Sequence, residues 1–368
     1  MEAPVTSART ALVKARRIVV KVGSRTLAKD PEYPRRLATQ FASLTREGRA
    51  VVLVSSGAIA IGCKRLGYET RPTDVPSLQA AASAGQSVLM RRYDEAFAEH
   101  GLTAAQVLLT HADLADRTRL NNARAALGAL LDAGAIPVIN ENDAVATEEL
   151  RFGDNDQLAS MVAPLVGADA LVLLTDVAGV LDAQGERIAT YDHKERFSDL
   201  GAVADRVGTG GMKSKIDAAH KAQRSGASVI IGPAPRENVL VDAFAGADVG
   251  TYFPATEPVL RARKHWIAYT LRPTGAVLVD AGAVTALRGG NGSLLPVGIV
   301  GIRGEFHPGD AVQILGPDGL EVGRGLSRLG SVEVARAAGK KGRDLELLLG
   351  DGRDIIVVHR DDLVLSLV

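Results

Sequence analysis

Between residues 136 and 158 the chain reads IPVINENDAVATEELRFGDNDQL, with two clusters of amides and carboxylates. The apolar run 136–139 breaks abruptly into Asn140, Glu141, Asn142 and Asp143, and Asp154, Asn155 and Asp156 follow further on. A short apolar run is the pattern of a buried parallel strand. Ligands of open α/β sheets sit just beyond the carboxyl ends of such strands. A buried polar group without a partner costs about 1–3 kcal/mol, so these side chains either hold a ligand or serve the fold. Asn140 and Asn142 suit turns, and Asp154 or Asp156 suits the cap of a helix beginning near Leu158. As a ligand site, the carboxylates suit an ammonium group and the amides suit a carboxylate. Together they fit an amino acid.

Other polar breaks share this position at the end of an apolar run. Lys21-Val22-Gly23-Ser24 closes the first run, where backbone amides and an ammonium group face phosphate oxygens; a turn with a surface lysine reads equally well. It is not a Walker A loop, whose spacing occurs nowhere in the chain. Ser55-Ser56-Gly57-Ala58-Ile59-Ala60-Ile61-Gly62 follows VVLV. Small residues there admit a ligand close to the backbone, or admit close helix–sheet packing through Gly57 and Gly62. Thr175-Asp176 ends ALVLL, as a nucleotide contact or a turn cap. Gly208-Thr209-Gly210-Gly211-Met212-Lys213-Ser214-Lys215 opens a helix, the arrangement by which free amides and the helix dipole bind phosphate. Two lysines, two glycine-rich turns and Asn/Asp clusters at strand ends suit phosphoryl transfer to a small polar acceptor. Positioning and charge neutralisation supply most of that catalysis. His111, His220 and His265 lack metal-ligand spacing, and Cys63 reads as a small buried residue.

The elements that must position these residues follow from hydrophobic rhythm. Apolar runs at 17–22, 50–54, 135–139, 170–174 and 228–231 alternate with helical stretches such as 117–131 and 213–225. This alternation predicts an α/β fold, a mainly parallel open sheet flanked by helices on both faces. The segment 250–273 breaks the rhythm with prolines and reads as a linker. Beyond it, short strands between glycine turns (AVLVD, LPVGIVGI, AVQIL, GLEVGRGL, DIIVVHR) predict a small β-barrel. The expected domains are a disordered extension over 1–16, a catalytic domain over 17–254, a linker over 255–273 and a barrel over 274–368.

Composition bounds the rest. A chain of 368 residues exceeds one ordinary core. Its 43 basic and 43 acidic residues cancel, which argues against a broad nucleic-acid surface. A single cysteine permits no intrachain disulfide and fits a reducing cytosol. The first residues lack the apolar core of a signal peptide, and no run approaches the ~20 residues needed to span a bilayer. A cytoplasmic protein is the expectation.

Taken together, KVGS (21–24), SSGAIAIG (55–62), AGQSVLM (84–90), LLTHADLADRTRLNNA (108–123), INENDAVAT (139–147), FGDND (152–156), LLTD (173–176) and GTGGMKSK (208–215) resemble the glutamate 5-kinases of the amino-acid kinase family. The likeness spans nearly the whole chain from residue 17. It implies ATP- and Mg2+-dependent phosphorylation of the γ-carboxylate of L-glutamate, the first step of proline biosynthesis, with feedback inhibition by L-proline. Its labile product would pass to a glutamate-5-semialdehyde dehydrogenase, and the enzyme would be a homo-oligomer, dimer or tetramer. By the same resemblance Lys21 and Lys215 stabilise the transferring phosphoryl group and Asp156 organises them. Ser56, Asn142, Asp143, Asp154 and Asn155 contact glutamate. Lys21, Thr175, Asp176, Thr209, Gly210, Gly211, Met212, Lys213, Ser214 and Lys215 contact ATP. No residue is assigned to the metal. Residues 274–368 resemble a PUA domain, a small barrel known from RNA-modifying enzymes.

Two departures stand out. Ser214 replaces a more usual threonine and keeps the hydroxyl, and about a dozen extra N-terminal residues receive no role. The competing readings are a kinase of acetylglutamate, aspartate or a uridine nucleotide, and an RNA-binding protein. Against the last, 274–368 shows no aromatic stacking set, and Arg324, Arg328, Lys340 and Lys341 read as a solvated face.

Overall fold

The computed structural model describes residues 9–146, 155–191, 211–256, 259–289, 292–341, 344–345 and 355–366. By its contacts the chain divides into two compact units, Met1–Val259 and Leu260–Val368. In the first, strands β1 (Arg17–Val22), β2 (Ala50–Ser55), β3 (Ala104–Leu109), β4 (Ile136–Glu141), β5 (Ala170–Thr175), β6 (Ser228–Pro233) and β7 (Thr251–Phe253) form one seven-stranded sheet. Their order is β3-β4-β2-β1-β5-β6-β7. All pairings are parallel except β6 with β7.

The two-residue period of a strand divides β1 between the two faces of the sheet. Ile18, Val20 and Val22 join a core with Leu37 and Phe41 of the helix Tyr33–Arg46 and with Leu89 and Tyr93 of the helix Val75–Ala98. Lys21 instead meets the helix Asn155–Val166, which packs against β1 from the other layer. Coverage on both faces is why β1 and β5 read as near-continuous apolar runs.

The strand order reverses at β1. The chain builds outward to β2, β4 and β3 on one side and then returns to place β5 on the other. A doubly wound sheet opens a crevice at such a switch point, beyond the carboxyl ends of its strands. Lys21, Ser55-Ser56, Asn140 and Thr175 all stand at those ends.

Gly62 belongs to the packing of this layer, helix against helix rather than helix against sheet. A Cβ on Gly62 would sit 1.6 Å from the Ala81 carbonyl oxygen, and one on Gly85 would sit 1.8 Å from that of Ala58. The helices Ala58–Arg65 and Val75–Ala98 therefore touch backbone to backbone. Gly57, just ahead of the first, takes a positive φ of 109° that an L side chain resists.

Residues 9–16 differ from the expected disordered extension. Thr10–Lys14 is a short helix, with Leu12 and Ala15 buried, and Arg9 is only 2 % exposed. The Arg9 guanidinium donates to the carbonyls of Ala247 (3.1 Å), Val249 (2.7 Å) and Ala189 (2.9 Å). It also pairs with Asp248 at 2.7 Å and lies over the ring of Tyr252. Five donors on one planar group let a single side chain satisfy a carbonyl-rich loop. So local a sequence pattern gives no sign of a loop so distant in the chain.

The segment 250–273 also contains ordered elements. Its start is β7, and the helix Ala262–Tyr269 packs on β11 (Glu321–Ser327) and β12 (Val358–Leu365) of the second unit. That unit holds β8 (Gly275–Val279), β9 (Ile299–Gly304), β10 (Ala311–Leu315), β11 and β12 in the order β12-β11-β10-β8-β9. Leu294, ahead of β9, bridges to Val358 of β12, so the sheet curls back toward its other end. Its core is Val277, Val279, Phe306, Val312, Ile314 and Val358. The last strand runs later than DIIVVHR suggests. On β11 the partners Gly325 and Ser327 face Leu363 and Val358, so the polar HRDD residues bulge outward between them. Arg324 is not a freely solvated residue. It pairs with Glu321 at 2.9 Å and donates to the Ala268 carbonyl at 3.2 Å. No helix among the described residues is long and apolar enough to cross a membrane.

Candidate active site

At the switch point a carboxylate lies between two ammonium groups. Asp156 Oδ1 is 2.7 Å from Lys21 Nζ and Asp156 Oδ2 is 2.9 Å from Lys215 Nζ. Asp156 is 0 % exposed, Lys21 6 % and Lys215 8 %. Each comes from a different element: the end of β1, the first turn of the helix Asn155–Val166, and the first turn of the helix Met212–Gln223. Burial alone would raise the Asp156 carboxyl, but the two lysines outweigh it and hold the group below the usual carboxylate range. The cluster carries a net positive charge, which suits an anion of high charge density. Gly211 precedes the helix of Lys215 and has no side chain to cap it. The amides and positive dipole end of its first turn belong to the same surface.

Beside the lysines runs a network of amides. Asn155 Nδ2 lies 2.8 Å from the Ser55 carbonyl, 2.8 Å from Ser56 Oγ and 3.0 Å from Asn140 Oδ1. Asn140 Nδ2 donates to Gln86 Oε1 at 2.9 Å. Because Nδ2 has no lone pair to offer, Ser56 Oγ accepts from it, and the serine proton is directed to another atom. A carboxylate oxygen is the natural recipient. Asn155 thus opens its helix as a member of this network, and Asp156 serves as the lysine counter-ion rather than as a cap. The helix begins earlier than Leu158 suggests.

The remaining expected residues divide into three groups. Asn142 and Asp143 border a cavity of about 270 Å³, lined also by Gln86, Gln106, Glu141 and the apolar Ala82 and Leu108. Burial pushes the Asp143 carboxyl up to about 6, against the opposing charge of Arg71. Thr175 and Asp176 end β5, with Thr175 Oγ1 3.4 Å from Asp176 Oδ1. Lys29 stands 3.9 Å from Asp176, an exposed pair of little energetic weight. Gly211, Met212, Lys213 and Ser214 lead into Lys215. Asp154, Thr209 and Gly210 lie outside the described residues.

Two residues of the network play a part that local pattern does not assign. Asn140 reads as a turn residue, yet it is 2 % exposed and bonded on both sides. Gln86 sits in the middle of a helix. Its signal is a polar residue at helical spacing among Leu78, Ala82, Leu89 and Tyr93, all of which are buried.

The model of the Amino acid kinase family matches residues 16–233, and that of the PUA domain matches residues 275–349. A glutamate 5-kinase of Trichlorobacter lovleyi is 47% identical over 368 residues, covering 96% of this chain and 98% of that protein. A glutamate 5-kinase of Thermus thermophilus is 47% identical over 364 residues, with 96% and 98% covered. One from Burkholderia cenocepacia is 43% identical over 372 residues, with 97% and 100% covered. Among solved structures, an N-acetylglutamate synthase from Neisseria gonorrhoeae, complexed with coenzyme A and N-acetyl-glutamate, superposes with a TM-score of 0.51 at 20% identity. It covers 68% of this chain and 62% of that one, a likeness of fold alone.

Proposed function

This chain belongs to the amino acid kinase family, and from that premise we infer that it phosphorylates the γ-carboxylate of L-glutamate with ATP. The product is L-glutamyl 5-phosphate, the first intermediate of proline biosynthesis. The observation that carries the reading is the Lys21–Asp156–Lys215 cluster beside Ser56 and Asn155. It joins a phosphate-neutralising half to a half that suits an amino acid.

The chemistry needs little more than this. A γ-carboxylate oxygen attacks the γ-phosphorus in line, the bond to the bridging oxygen breaks, and ADP departs with that electron pair. The nucleophile titrates near ~4.3 and is already ionised at neutral pH, so no general base is required. Lys21 and Lys215 sit where charge spreads over the equatorial oxygens, and Asp156 fixes both before substrate arrives. The amides at the start of the helix Met212–Gln223, with Thr175 and Asp176, would hold the nucleotide. Ser56 donates to a carboxylate, and Asp143 faces the ammonium group. Among the described residues no three His, Cys, Asp or Glu side chains gather around a metal. Mg2+ commonly keeps several waters and binds through substrate phosphates, so it would enter with ATP. When bound it supplies further neutralisation of the phosphates.

Inhibition by L-proline, homo-oligomer formation and transfer of the labile product to glutamate-5-semialdehyde dehydrogenase belong to the same proposal. An oligomer has support in β3, an edge strand half-exposed along most of its length. A coupled assay of ADP release with L-glutamate, N-acetylglutamate, aspartate and uridine monophosphate tests the acceptor. Turnover is expected with glutamate, and turnover confined to any of the others would overturn the reading.

The raised Asp143 carboxyl gives a pH signature. An ammonium group binds the ionised form, so KM for glutamate should fall as pH rises through about 6 and level off above it. The substrate carboxyl titrates well below this window. In the empty protein the sign is opposite: the raised value favours the fold at low pH, and that contribution is lost as pH rises through about 6. Asp143→Asn should erase the step in KM and weaken glutamate binding and proline inhibition together. A variant that retained the step would assign it to another group.

A further inference from the structure

We propose that Gln86 and Asn140 are positioning residues that fix which way the Asn155 amide faces, and thereby the donor–acceptor polarity of the glutamate subsite. The inference rests on the reading of Ser56 and Asn155 as part of that subsite.

Main-chain atoms settle the orientation of both asparagines. The Glu141 backbone N–H donates to the Asn140 side chain at 2.9 Å, so the atom there is the oxygen. The Ser55 carbonyl lies 2.8 Å from the Asn155 side chain, so the atom there is the nitrogen. An N–H cannot accept and a carbonyl cannot donate, which leaves no freedom to exchange the amide atoms. Asn140 therefore turns its nitrogen to Gln86 Oε1 and its oxygen to Asn155 Nδ2. Asn155 in turn has its oxygen directed away from Ser55, Ser56 and Asn140. With the nitrogen committed to these partners, the groups left for a ligand are an acceptor, Asn155 Oδ1, and a donor, the Ser56 hydroxyl. That pairing serves a zwitterion: the acceptor suits an ammonium group and the donor suits a carboxylate.

Gln86 holds the outer end of this chain. Asn140 is 2 % exposed, so its nitrogen has little access to water if the Gln86 oxygen is removed. Rotation of Asn140 to recover a partner sacrifices its bond to Asn155, and Asn155 then samples orientations that face the ligand wrongly. None of the described contacts links Gln86 to Lys21, Asp156 or Lys215, so the phosphoryl-transfer half is left alone.

The test compares Gln86→Leu with Gln86→Glu at pH 8, where Asp143 is ionised. Leucine removes the acceptor, and glutamate keeps an oxygen for Asn140. Gln86→Leu should raise KM for glutamate by about tenfold, with kcat and KM for ATP within about threefold of wild type. Gln86→Glu should return KM for glutamate to near the wild-type value. Thermal melting checks folding, and if Gln86→Leu does not fold, Gln86→Met is read in its place. An unchanged KM in the folded leucine or methionine variant overturns the inference, as does an equal rise in Gln86→Glu. A wild-type enzyme that fails to phosphorylate glutamate would instead overturn the proposed function, and this inference with it.

Discussion

Lys215→Ala should lower kcat by about a hundred- to a thousand-fold, while KM for glutamate moves by less than about threefold. The asymmetry follows from position. Lys215 Nζ lies against Asp156 in the half proposed to take phosphate, whereas the amides proposed to take glutamate are held by Asn140 and the Ser55 carbonyl. Its charge matters most when negative charge spreads over the transferring phosphoryl group, and least when glutamate merely binds. Steady-state kinetics at saturating ATP separates the two quantities. A variant with wild-type kcat would remove Lys215 from the chemistry.

Asp156→Ala should damage both stability and activity. Truncating the carboxylate leaves two ammonium groups, 6 % and 8 % exposed, side by side without their counter-charge. Breaking a buried ion pair from one side costs about 3–5 kcal/mol, which for a domain of this size lowers Tm by on the order of 10 °C. The kcat loss should equal or exceed that of Lys215→Ala, because both lysines lose their anchor at once. Phosphate oxygens restore the missing negative charge, so saturating ATP should raise the Tm of Asp156→Ala by more than it raises that of wild type. A variant melting like wild type would show that the lysines do not depend on Asp156.

Much of this site can be read from local sequence, because its residues sit where apolar runs stop. Lys21, Ser56, Asn140 and Thr175 mark strand ends whether or not the partner strands are known. The lysine–glycine turn into the helix of Lys215 is likewise a local pattern. Other features are invisible to such a reading. From its local position Asp156 reads equally as a ligand group or a helix cap, and only the family resemblance set it beside the lysines, because its bond to Lys215 spans 59 residues of chain. Gln86 reads as one more polar residue of a helix. Gly62 and Gly85 look permissive, and only the crossing of their helices shows that a single methyl would collide with a carbonyl. Arg9 falls in a stretch too short and polar to announce order, yet its partners are Ala189 and a loop at 247–250.

The alternation of strand and helix, the parallel sheet, the separate small β unit and the kinds of group available at each strand end are all legible in the chain's local pattern. These depend on periodicity and on the residues that break it, which act over a few positions. Tertiary structure alone decided which of those groups meet. Strand order reverses at β1 and sets its carboxyl end between those of β2 and β5, bringing Lys21 alongside Ser56 and beneath the helix of Asp156. Helix packing then carries Lys215 to the other oxygen of the same carboxylate and Gln86 to Asn140. Such meetings are fixed by the burial of whole faces, which no local pattern encodes.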